Sequence, residues 1–146
     1  MKRHPALVSL SRDHHQALAV ALRLRRATAR NVDDAAAAFA AFWEPRGRRH
    51  FEIEEELLLP AIPASDAVWT RAADRVRAEH GRLRDLATLL SRPVNRLSVA
   101  RDLGQRLHDH VRFEERELFV TLEERLSNDE LGRLAHAIAA AEAKVG

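Results

Sequence analysis

A chain of 146 residues, 46% of them hydrophobic, is long enough to enclose a sizeable core and too apolar to stay disordered. The absence of cysteine removes disulfides, thiolate ligands and thiol redox switching, so any metal site must use histidine and carboxylate, a donor set that suits iron, manganese or zinc. The net charge is only +2, and the clusters Arg23, Arg25, Arg26 and Arg46, Arg48, Arg49 are too sparse for the one-sided stripe of a nucleic-acid binder; they read as solvated helix faces.

No apolar run approaches the roughly 20 residues that span a bilayer, so no membrane partner is expected. Met1–Pro5 lacks the apolar block of a signal peptide, which makes the cytoplasm the expected location. Apolar residues recur at intervals of three and four, with few glycines or prolines between them, so the expected class is all-α. Residues 1–146 read as a single domain.

The first helix is expected to start near Pro5 and run to about Ala29. Asn31 is placed to cap the second, with Asp33 and Asp34 in its first turn. That helix runs to Leu59 and stops at Pro60, with a kink expected at Pro45. Ser65 or Asp66 opens the third, which continues to about Leu90. Asn95 or Ser98 opens the fourth, which ends near Leu126. Ser127 to Glu130 reads as a capping box for a short fifth helix over Asp129–Ala143. Four long helices with short connections imply an up-down-up-down four-helix bundle, with the fifth helix appended.

Two stretches repeat one pattern. His50 to Glu55 and His110 to Glu115 both read His-x-x-x-Glu-Glu. Residues four apart share a helix face, so His50 stacks with Glu54, and His110 with Glu114. Those faces also carry the apolar stripes, and a charged pair aimed at a core is costly unless something pairs with it. Two such pairs suggest a shared cation. The other long helices each add an inward histidine. His80 lies between Val76 and Leu83 on the third. His14 lies between Leu10 and Ala17 on the first, and is favoured over His15 because its face is apolar for longer. With about 1.5 Å of rise per residue the six residues fall at similar depth, which makes a binuclear site plausible. His4, His108 and His136 are expected at the surface. Two carboxylates facing each other without a cation should raise at least one carboxyl pKa.

His50-x-x-x-Glu54-Glu55, the run His110 to Phe119, Asp13-His14-His15 and Glu79-His80 together resemble the hemerythrin-like (HHE cation-binding) family. The resemblance implies a bundle holding two non-haem irons. His14, His50, His80 and His110 would be terminal ligands, and Glu54 and Glu114 would bridge. It also implies a small partner: dioxygen, nitric oxide or peroxide, bound for sensing, storage or stress defence. Oxygen carriers of this kind place two histidines one turn apart on the third helix. Here the flanking positions are Val76 and Arg84. Those carriers also take a carboxylate five residues after the last histidine, which would be Glu115, whereas the four-residue spacing selects Glu114. Two other readings stand beside the binding protein: a di-iron enzyme with peroxidase-like or nitric-oxide-handling activity, and a metal-free all-α interaction module.

Overall fold

In the computed structural model, residues 2–144 are described, and every regular element among them is helical. A 3-10 turn, Pro5–Leu7, leads into α1 (Val8–Arg25). The second rod joins α2 (Val32–Phe42), a π turn at Trp43–Gly47, α3 (Arg48–Ile53) and a second π turn at Glu54–Leu58. The third is α4 (Ala67–Leu90). The fourth joins α5 (Arg96–Phe113), a π turn at Glu114–Leu118 and α6 (Phe119–Arg125). The fifth is α7 (Asn128–Ala143). The rods pack on one another as an all-α bundle, with α1 against α2 and α5, and α4 against α5. No helix among the described residues is long and apolar enough to cross a membrane.

The caps explain most of the boundaries. Asp66 accepts from the Trp69 amide at 3.0 Å and opens α4. Ser127 and Glu130 form the expected reciprocal capping box at α7. Asn31 departs from expectation. Its Oδ1 accepts from the Thr28 amide at 2.8 Å, within the preceding turn, and gives α2 no side-chain cap. The turn it stabilises also ends α1 at Arg25, short of Ala29. Asn95 stands in the left-handed region (φ 55°) and passes the chain into α5 without capping it. Pro45 interrupts the hydrogen-bond ladder as expected, and the helix absorbs it by widening into a π turn rather than breaking.

The core is divided. One apolar cluster gathers Leu7, Leu10, Ile53, Leu58, Trp69, Val76 and Phe119, with Leu131 and Ile138 of α7 closing it. The other gathers Ala17, Leu24, Phe39, Trp43, Leu83, Leu103 and Leu107. Between them lies a layer of buried polar side chains: His14, His50, Glu54, His80, His110 and Glu114, with Asp13.

Close approach of α1 and α5 at one end of the bundle depends on Gly104. A Cβ there would meet the Ala21 carbonyl oxygen and the Arg25 amide nitrogen, each at 2.7 Å. Backbone cannot swing aside, so Gly104→Ala should destabilise by about 1–3 kcal/mol in a denaturant melt. Gly81, mid-α4 with nothing within 4 Å of such a Cβ, is the control. Gly81→Ala should stabilise by about 1 kcal/mol through helix propensity. Equal melts for the two variants would remove the close-approach argument.

Candidate metal centre

In each of the second and fourth rods, a π turn begins on the first glutamate of His-x-x-x-Glu-Glu, Glu54 and Glu114. The amides of Leu59 and Phe119 reach back to the carbonyls of Glu54 and Glu114, one residue further than in an α-helix. Such widened turns recur at functional sites, where they re-aim a side chain. Past Glu54 the buried positions become Leu58 and Leu59, while Leu57 is only partly covered.

The six residues expected at the centre meet there. Glu54 and Glu114 are 0% exposed. Each gives one oxygen to either side. Oε2 of Glu54 lies 3.0 Å from His50 Nε2 and 3.8 Å from His14 Nε2, while its Oε1 lies 3.1 Å from His80 Nε2. Oε1 of Glu114 lies 2.8 Å from His14 Nε2, while its Oε2 lies 3.1 Å from His110 Nε2 and 3.8 Å from His80 Nε2. Two groups of four potential ligands result: His14, His50, Glu54 and Glu114, and Glu54, His80, His110 and Glu114. They share both carboxylates.

Most of these contacts are close without being aligned as hydrogen bonds. His50 Nε2, His80 Nε2, His110 Nε2, both Glu54 oxygens and Glu114 Oε2 are buried and have no hydrogen-bond partner. Of the inward contacts, only His14 Nε2 with Glu114 Oε1 is aligned. A buried polar atom without a partner costs about 1–3 kcal/mol, and more if charged. Six such atoms converging from three rods, all nitrogen or carboxylate oxygen, fit a cation.

The opposite nitrogen of every imidazole is anchored. His50 Nδ1 meets Asp13 at 3.0 Å, His80 Nδ1 meets Glu55 at 2.8 Å, His110 Nδ1 meets Glu79 at 2.7 Å and His14 Nδ1 meets Glu115 at 2.6 Å. A carboxylate there holds the proton on Nδ1 and leaves Nε2 free to face the centre. The links form a closed circuit. α1 holds the histidine of α3, the second rod that of α4, α4 that of α5, and the fourth rod that of α1. Each carboxylate is in turn met by an arginine. Arg46 bonds Asp13 at 2.7 Å, Arg84 bonds Glu55 at 2.8 Å, Arg75 bonds Glu79 at 2.8 Å and Arg3 meets Glu115 at 3.3 Å. Arg46 therefore does not belong to a purely solvated cluster; it has a buried partner.

His15 and His136 are exposed, and His108 is half-buried against Asp109. His4 acts locally, its Nδ1 accepting the Ala6 amide at the start of the 3-10 turn. Glu115 lies outside the central layer, on His14. Asp13, Glu55 and Glu79 anchor imidazoles, a role the sequence reading does not assign to them. Their signal is present in the chain: an acid directly before His14 and His80, and a second glutamate after Glu54. One residue along a helix is a rotation of about 100°, which points each of them at the neighbouring rod.

At Glu114 the electrostatics run opposite to the rise expected of facing carboxylates. Burial would raise the Glu114 carboxyl, but the His110 imidazolium, with His14 and His80 beside it, holds it well below the usual carboxylate range. Three imidazoles lie within 4 Å of the Glu114 oxygens. Burial would likewise depress the histidines. Glu114 and Glu115 nonetheless raise His14, Glu54 and Asp13 raise His50 well above its ordinary value, and Glu114 and Glu54 raise His80. His110 is pushed up to about 10, chiefly by Glu114. Asp13, Glu55, Glu79 and Glu115 are all lowered, because their histidine and arginine or serine partners outweigh burial.

Searches of the curated proteins and of the solved structures each returned no match. A scan of family models matched residues 6–141 to one described as "Hemerythrin HHE cation binding domain".

Proposed function

The chain belongs to the hemerythrin family of HHE cation-binding domains, and from that premise we propose that residues 1–146 form one domain that holds two non-haem irons and binds dioxygen, nitric oxide or peroxide for sensing, storage or stress defence. The observation that carries this reading is the set of six unpartnered polar atoms buried between two apolar clusters. His14 and His50 would hold one ion and His80 and His110 the other, with Glu54 and Glu114 giving an oxygen to each. Bound iron would supply one-electron chemistry and positions for a small ligand, with manganese or zinc as alternative occupants.

The protein's own part is to hold, orient and exclude. Asp13, Glu55, Glu79 and Glu115 fix the imidazoles. Phe119 stacks on His14 at 5.2 Å between centroids, and Phe51 on His80 at 3.8 Å. Phe42, Trp43, Leu107 and Val111 close a small, largely apolar void beside His14, His50 and His110. The third rod offers one histidine only. Val76 lies in the apolar cluster and Arg84 is committed to Glu55, so neither adds a ligand. The donor set is balanced at two histidines a side, unlike the arrangement of the carriers, and that leaves places for water or a small molecule.

Elemental analysis after anaerobic iron loading tests the reading, with two irons per chain as the expected result. A single zinc with no second metal would overturn it. Absorption spectra before and after air, peroxide or nitric oxide then identify the ligand. Catalytic turnover of peroxide or nitric oxide would move the protein to the enzyme reading.

A further inference from the structure

Readily oxidised side chains are scarce in this chain. It has no tyrosine and no cysteine, and its one methionine is Met1. That leaves Trp43 and Trp69, which sit in different surroundings. Trp69 is enclosed in the apolar cluster at 2% exposure, and its Nε1 proton is donated to the Leu59 carbonyl at 2.8 Å. Trp43 stands between the centre and the outside. On one side it lines the void shared with His14, His50 and His110. On the other it lines a surface cleft of about 280 Å³ with Asp33, Glu44 and Arg96.

An aromatic contact joins this indole to the centre. Phe51 meets Trp43 edge-on, with centroids 5.1 Å apart and planes at 79°. The same ring lies flat on His80, at 3.8 Å and 3°, and reaches His110 at 5.7 Å. Electron tunnelling falls steeply with distance, and these ring contacts leave only short gaps between the centre and Trp43. Phe51 is too hard to oxidise to act as a stop. Trp43 is the first ring on this path that can give up an electron, and the one that lines the surface cleft.

We propose that Trp43 is a redox outlet of the buried centre, coupled to it through Phe51 and His80, and that it yields an electron when peroxide exceeds what the centre can reduce alone. This rests on the reading that the six residues hold iron. Hydrogen peroxide takes two electrons and two protons and leaves as two waters. When the centre supplies one electron, Trp43 supplies the other. One proton comes from the indole N–H through the cleft and one from solvent, so a neutral indolyl radical remains on Trp43. Trp69 cannot substitute, since its N–H proton is held by a carbonyl inside an apolar cluster. The outlet draws oxidising equivalents away from the histidine ligands.

The test uses the full chain loaded with iron(II), treated with hydrogen peroxide in the presence of a nitroso spin trap, and mapped by mass spectrometry. The adduct is expected on Trp43, severalfold above Trp69, and only in iron-loaded protein. Trp43→Phe should remove it without moving it to Trp69. Phe51→Leu, with iron content checked, should lower it while the indole remains in place. Equal adducts on both tryptophans, or the same yield on Trp43 in metal-free protein, would overturn the proposal while leaving the iron reading intact. Failure of the wild type to load iron would overturn both, and the iron assay tells the two cases apart.

Discussion

Glu54→Ala should abolish binding on both sides of the centre, whereas Glu55→Ala should weaken metal affinity by about 10–100-fold and leave the stoichiometry unchanged. The two residues are neighbours in sequence and differ in every physical respect that bears on the centre. Glu54 is fully enclosed and puts one oxygen near His50 and the other near His80, so its loss removes a donor from both groups. Glu55 points the other way, takes the Nδ1 side of His80 and is shared with Arg84. Its loss frees an imidazole to rotate but deletes no donor. Glu114 and Glu115 should divide in the same manner, with Glu115→Ala acting through His14. Titration of each variant with iron(II), read by bound metal per chain, checks this. Matching losses for Glu54→Ala and Glu55→Ala would show that the first glutamate is not the shared donor.

The second expected result is that pH acts oppositely on the metal-free and metal-loaded protein. In the metal-free form the four histidines have folded pKa values above the ordinary 6.5, His110 at about 10. A group raised on folding stabilises fully below its unfolded pKa and loses that contribution as pH climbs through the folded value. Glu114, Asp13, Glu55, Glu79 and Glu115 are lowered on folding. Their contribution is present above the unfolded pKa, 4.5 for the glutamates, and is lost as pH falls below it. The metal-free bundle should therefore be most stable between about pH 4.5 and 6.5, and should weaken from 6.5 towards 10. Metal demands the reverse, because each Nε2 must shed its proton to bind. Metal should add roughly 3–4 kcal/mol at neutral pH when its free concentration is about 100–1,000 times its dissociation constant. That gain should grow with pH and shrink towards about pH 5. Thermal melts with and without iron(II) across this range provide the measurement. Coincident melts at neutral pH would mean that the six residues are not a metal site, and a pH-independent gain would mean that the histidines are not the ligands.

The helical order could be read from the chain because caps and apolar spacing are local signals. Asp66 and Ser127 each act within three residues of themselves, and both did what their type suggests. Asn31 misled because its side chain had two local partners to choose from and took the earlier one. The inward members of the centre were legible for a related reason. A histidine inside an apolar stripe is anomalous on its own helix, with no knowledge of the others. The outer members were not. Asp13, Glu55 and Glu79 look like ordinary solvated carboxylates on their own helices, and only the neighbouring rod gives them a partner. At Glu114 the carboxyl ran opposite to the expectation on the same ground, since the expectation left out the imidazoles around it.

The circuit of carboxylate and histidine also has a twofold character. Asp13-His14 followed by His50-x-x-x-Glu54-Glu55 has its counterpart in Glu79-His80 followed by His110-x-x-x-Glu114-Glu115. Exchanging the halves carries every link onto another: Asp13 to His50 becomes Glu79 to His110, and Glu55 to His80 becomes Glu115 to His14. Each half thus bears one fully buried central carboxylate, two imidazoles and two anchors, and neither can close the circuit alone. The covalent connection through residues 62–66 carries none of these links. A nick there would leave a piece of two rods and a piece of three, each holding what the other lacks, and either piece paired with its own copy would meet the same pattern of donors and anchors.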